Sequence, residues 1–189
     1  MGNESSKPTG FIPTHGGYMN LLSYQKAEII YDGTVYFTRR FFSKYDRTVD
    51  QMVQAARSGK QNIAEASMAA AMSKETEIKL TSVARASLEE LKLDYEDFLR
   101  SKGLPIWGKE HRLVTRFREL NRSAESCYQT FRKAIEHPDP EISANVMRCL
   151  ITVTTWLLKK QMDTLEKRFL EEGGVKEKML AARLAHRNI

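Results

Sequence analysis

The chain has 189 residues, 41% of them hydrophobic and 29% charged, which suits one folded domain with an appendage rather than a disordered tract. Two cysteines, Cys127 and Cys149, are too few for a disulfide framework or a zinc site, and they read as two reduced core thiols of a cytoplasmic protein. The net charge of +6 is localised: residues 102–137 hold 8 Lys/Arg against 4 Asp/Glu and residues 173–189 hold 4 against 1, whereas residues 20–101 hold 12 of each. That asymmetry points to a polyanion partner.

Residues 1–19 lack an apolar run and are expected to form a flexible segment with no secretory signal. The first helix is predicted over about 22–45, with Leu22, Ile29, Ile30, Phe37, Phe41 and Phe42 as its stripe. The second covers about 48–71, with Thr48 as N-cap, Gln51 completing a capping box, and Val49, Met52, Val53, Ala56 and Ile63 inward. Ser73 caps a third helix over about 74–101. Its residues Ala84, Leu88, Leu91, Tyr95 and Phe98 recur at bundle spacing, and Gly103 and Pro105 stop it.

Leu113, Phe117, Leu120, Ala124, Tyr128, Phe131 and Ile135 then keep helical intervals, which predicts one long amphipathic helix over about 109–136, with a kink near Asn121–Ser123. Asp139, Pro140 and Glu141 read as N-cap, first-turn proline and first-turn acid of a last core helix over 140–172. Ile151, Leu158, Met162, Leu165 and Phe169 share its inner face, and Gly173 and Gly174 end it. Residues 173–189 read as a basic suffix, either a short helix or a frayed tail. With no period-2 alternation and with short turns at 46–47 and 72–73, the expected fold is all-α. It is an antiparallel up-and-down four-helix bundle over 20–172, with the 109–136 helix inserted before the last core helix. The apolar run "CLITVTTWLL" is half of what a membrane span requires, so no membrane is expected.

No catalytic constellation emerges. His15, His111, His137 and His186 have no partner at metal spacing, and phosphate-loop, dinucleotide and nucleophile-elbow motifs are absent. The acids Glu89, Glu90, Asp94, Glu96 and Asp97 alternate with core residues, which makes most of them a solvated face. Neither a metal nor a cofactor is expected, and a bundle enzyme or metal carrier is the weakest reading.

Two features remain. In "SGKQNIAEASMAAAMSKE" the small residues Ala56, Gly59, Ala64, Ser67 and Ala71 suit close helix packing, and Asn62 and Glu65 share a face where, if buried, they need partners. Lys109, Arg112, Arg116, Arg118 and Arg122, with Lys176, Lys178, Arg183 and Arg187 in the suffix, are the candidate nucleic-acid contacts, because each can neutralise a phosphate. The same charges read equally well as solubilising surface, some paired with Glu119 and Glu125. Tyr18, Tyr24, Tyr31, Tyr36 and Tyr45 read mainly as packing residues, with base stacking as the weaker alternative.

The runs "LLSYQKAEIIYDGTVYF", "TVDQMVQAARSGKQNIAEAS" and "SKETEIKLTSVARASLEEL" resemble the bacterial four-helix-bundle proteins related to those encoded in 23S rRNA intervening sequences. That group also includes the accessory variability protein of diversity-generating retroelements. The shared signature is Gly59, Asn62, Ile63, Ala64 and Glu65, with Ala66 where many relatives have glycine. The likeness covers residues 16–101 strongly and 140–189 loosely, and it is nearest the longer branch with a suffix. It implies a non-enzymatic homopentamer, with RNA or DNA and a reverse transcriptase or another protein as partners. The expected function is therefore a non-catalytic homo-oligomeric accessory protein that binds nucleic acid. A protein-interaction scaffold without nucleic-acid binding is the alternative.

Overall fold

The computed structural model describes residues 17–122, 127–174, 177, 179, 180, 183 and 184. Among these residues the fold is all-α, without a strand: a 3-10 turn over Tyr18–Asn20 precedes α1 (Leu22–Phe41), α2 (Arg47–Ala69), α3 (Lys74–Ser101), α4 (Arg112–Arg122), α5 (Tyr128–Ile135) and α6 (Pro140–Glu172). Among them no helix is long and apolar enough to cross a membrane.

Local chemistry sets the boundaries. Asp46, rather than Thr48, caps α2: its carboxylate accepts from Thr48 N at 2.9 Å, so the predicted Thr48–Gln51 box does not form. Ser73 Oγ accepts from Thr76 N at 3.1 Å and starts α3. Asp139 accepts from Glu141 N at 2.9 Å ahead of Pro140 and starts α6. Gly103 and Gly173 follow α3 and α6 at positive φ, where a side chain would be strained.

The predicted 109–136 helix is not continuous. Lys109 and Glu110 form a turn before α4, and α5 starts afresh after Cys127, which is extended at φ −108°, ψ 177°. Thr130 Oγ1 accepts from Cys127 N at 3.2 Å, and that local bond caps α5 instead of letting the helix run on. Ala124 lies outside the described residues. Phe117, Phe131 and Ile135 are buried as their spacing requires, and Val114 joins them. α1 also ends sooner than predicted, at Phe41, which leaves Tyr45 exposed in the turn.

The core lies where α1 meets α2, α2 meets α3, α3 meets α6 and α6 returns to α1; α4 and α5 pack against α6. Sequence-distant pairs tie the helices together: Ser23 meets Gln161 and Gly33 meets Met147, so α1 and α6 run in opposite directions, and Ser58 meets Ser87 between α2 and α3. The α3 stripe is fully covered, Ala84, Leu88, Leu91 and Tyr95 being 0% exposed. Each large member contributes roughly 1.5–3 kcal/mol through burial. Tyr95 OH donates to Thr34 Oγ1 at 3.1 Å, which satisfies a buried hydroxyl, and its ring meets Phe37 at 4.8 Å. Lys26 is 0% exposed with its ammonium 5.5 Å from the Phe131 ring, and burial pushes its pKa down.

Gly59 explains the small-residue stretch. A Cβ there would stand 2.6 Å from Leu88 Cδ2 and 2.7 Å from Leu88 Cγ, so α2 and α3 approach as closely as a missing side chain permits. Ile63 and Ala64 are buried beyond it. Asn62 and Glu65 differ in their surroundings. Glu65 is exposed, and half-buried Asn62 donates to Ser58 O at 2.9 Å and to Ser58 Oγ at 3.1 Å on its own helix.

Candidate nucleic-acid interface

α4 is amphipathic in a simple way. Val114 and Phe117 are buried and Leu113 and Leu120 half-buried, which turns Arg112, Arg116 and Arg118 outward; all three are exposed, as is Lys109 in the preceding turn. Arg116 has Glu119 at 3.9 Å, a mostly exposed pair of little energetic weight. Among the described residues, no carboxylate lies within ion-pair distance of Lys109, Arg112 or Arg118. Arg118 Nη1 instead approaches Lys109 O at 3.5 Å, which brings two of the predicted residues together.

The segment leading into α4 is pinned to the start of α6. Trp107 N donates to Asn145 Oδ1 at 2.9 Å, and Asn145 Nδ2 donates to Pro105 O at 2.9 Å. Trp107 Nε1 donates to Glu141 Oε1 at 2.8 Å, and its ring stacks on His111 at 4.2 Å. These bonds hold α4 over the first half of α6 and leave a cleft of about 220 Å³ between α3, α4 and α6.

Four cations border that cleft, Lys92, Lys109, Arg118 and Arg148, against one carboxylate, Glu96. Arg148 joins α6 to α3, its Nη2 donating to Glu96 Oε1 at 2.7 Å and its Nε to the same oxygen at 3.1 Å. Lys92 pairs with Glu89 one turn away on α3. Lys92 and Arg148 escaped the sequence reading because each looks like an ordinary surface charge on its own helix. Only the crossing of three helices groups them.

Arg116 aside, the remaining predicted contacts are Arg122, Lys176, Lys178, Arg183 and Arg187. The side chain of Arg122, and the residues Lys176, Lys178 and Arg187, lie outside the described residues. Arg183 is exposed. It follows Glu172, the end of α6, which lies about 30 Å along the helix from cleft residue Val153 at 1.5 Å per residue.

Elsewhere the chemistry is local. Among the described residues, no three His, Cys, Asp or Glu side chains gather closely enough to hold a metal ion. The acidic side chains of α3 divide: Glu90 and Asp97 are exposed, while Glu89, Asp94 and Glu96 are half-buried. Asp94 is pushed up to about 6 by desolvation and by the neighbouring charges of Glu90 and Asp97. The reading of Cys127 as a core thiol is corrected, because it is exposed, whereas Cys149 is half-buried and packs against the core. Thr130's hydroxyl, with backbone N–H groups at the start of α5, draws the Cys127 thiol below its usual range, whereas burial pushes Cys149 up.

No family model, curated protein or solved structure matches this chain.

Proposed function

We propose that this chain is a non-catalytic, homo-oligomeric accessory protein that binds nucleic acid through the basic face of α4 and the turn before it. The observation that carries this reading is the grouping of exposed Lys109, Arg112 and Arg118 with no carboxylate in ion-pair distance among the described residues. Unpaired cations on one face attract phosphates through counterion release, without regard to sequence. An antiparallel up-and-down arrangement of α1, α2, α3 and α6 as one four-helix bundle belongs to the same proposal. Their pairwise packing and the short α1–α2 and α2–α3 connections support it. A pentameric assembly, suggested by the resemblance of the Gly59–Glu65 stretch, would repeat the patch around a ring and multiply its avidity.

A protein-interaction scaffold is the second reading, and one feature favours it. Met68, Met72 and Leu170 are exposed near the α2–α3 turn and the end of α6, and Met179, Leu180 and Leu184 are exposed beyond it. Native mass spectrometry of purified protein, before and after nuclease treatment, separates the two readings. Nucleic-acid binding predicts co-purifying nucleic acid that nuclease removes from a five-subunit particle. A particle that never carries nucleic acid, and loses a protein partner when residues 173–189 are deleted, contradicts it.

A further inference from the structure

We propose that the cleft between α3, α4 and α6 seats a phosphate of a single-stranded nucleic acid while an adjacent base stacks on Trp156. This inference rests on the nucleic-acid reading and adds the strandedness of the ligand and the side chains that detect it.

The charge is in place. Of the four cations bordering the cleft, Arg148 is matched by Glu96 and Lys92 by Glu89, whereas Lys109 and Arg118 have no matching carboxylate among the described residues. The cavity of about 220 Å³ is large enough for a phosphate with part of its sugar.

The stacking surface stands beside it. Trp156 is 56% exposed, while Trp107 is only 8% exposed. Thr152 and Val153, which line the cleft, precede Trp156 by four and three residues on α6, and therefore share its face. Helical side chains lean towards the N-terminus, which tilts the indole towards the cleft. One turn further on, Lys159 and Lys160 are exposed with no ion-pair partner among the described residues. From Thr152 to Lys160, about 12 Å of helix presents cleft, indole and two ammonium groups in succession. Phosphate sites flanking an aromatic face are the physical requirement for holding a strand whose bases are free to stack. A duplex keeps its bases stacked internally and could engage only the charges.

The test uses the full chain and tryptophan fluorescence. An oligodeoxythymidylate and a duplex of mixed sequence are titrated at low salt into wild type, Trp156→Phe, Trp156→Ala and the double variant Lys109→Glu/Arg118→Glu. Thermal midpoints check folding. The strand should quench wild-type emission, and most of that quench should be lost in Trp156→Phe, whose remaining indole, Trp107, lines the cleft but is only 8% exposed. Trp156→Ala should weaken strand binding about tenfold or more and Trp156→Phe should largely restore it, while duplex binding stays unchanged. The double variant should flatten the salt dependence of strand binding by about 0.7 for each phosphate it no longer neutralises. Strand binding without quenching, and equal in wild type and Trp156→Ala, overturns this site and leaves the broader reading standing. A change of native mass in Trp156→Ala with strand affinity intact assigns the indole to a subunit contact and also overturns it. If neither strand nor duplex binds, the protein does not bind nucleic acid and this site fails with that function.

Discussion

Replacing Gly59 with alanine sets two effects of known sign against each other. In a helix interior alanine is favoured over glycine by about 1 kcal/mol, so a tolerant site would be stabilised. Here the new methyl meets Leu88 at 2.6 Å and 2.7 Å, and Leu88 is 0% exposed, so it has no solvent into which to retreat. Overpacking of this kind costs roughly 1–3 kcal/mol, which leaves a net destabilisation of about 1 kcal/mol. A double-mutant cycle isolates the contact. Leu88→Ala alone should cost about 2–5 kcal/mol by opening a cavity. With Gly59→Ala added, the methyl partly fills that cavity, so the pair should be less destabilised than the sum of the singles by about 1–2 kcal/mol. Urea unfolding followed by far-UV circular dichroism gives all four corners of the cycle. If Gly59→Ala is stabilised by the full propensity gain and the cycle shows no coupling, α2 and α3 do not meet at this point.

Two further outcomes follow from the titrating groups. Asp94 lies with Asp50 and Glu90 along the groove between α2 and α3, with Asp97 one turn on, and its folded pKa of about 6 stands above the ordinary carboxylate value. A raised carboxylate favours folding below the unfolded pKa, so its contribution should be lost as pH rises through about 4 to 6. Asp94→Asn should therefore raise stability at neutral pH by no more than about 1 kcal/mol, since water screens this partly open site, and should flatten that part of the pH profile; unchanged urea midpoints from pH 4 to 7 would refute it. Alkylation by iodoacetamide, located by peptide mass mapping, should modify exposed Cys127 well before Cys149, and equal rates would show that burial does not protect Cys149.

The parts of the fold legible in the sequence are those set by local rules. The Ala84–Phe98 stripe, the Ser73 and Asp139 caps and the glycine stops each depend on residues a turn or two apart, and each lies where those rules put it. The break between α4 and α5 hid from the same reading because Phe117, Phe131 and Ile135 keep a helical interval across it. The interruption is carried by Cys127 and Thr130, and cysteine is not among the usual capping residues. Trp107 had no periodic neighbours to announce it, and its burial depends on Asn145, 38 residues later. Of the candidate site, the outward face of α4 follows from amphipathic spacing. The cleft does not, because Lys92 and Arg148 meet Arg118 only through the packing of three helices. The exposure of Glu65 was likewise hidden, since spacing relates it to Asn62 but cannot say which side of α2 faces a neighbour.

The central claim is that the α4 cations bind phosphates, and the salt dependence of binding measures this most directly. Labelled single-stranded RNA retained by wild type across a salt series should give a linear log–log slope. Arg112→Glu/Arg116→Glu/Arg118→Glu should weaken retention and flatten that slope by about 2, at about 0.7 for each phosphate released from an arginine. Reversing the exposed Arg57 and Lys79 on α2 and α3 should leave the slope unchanged. Equal affinity and equal slope in wild type and the α4 variant would contradict the account.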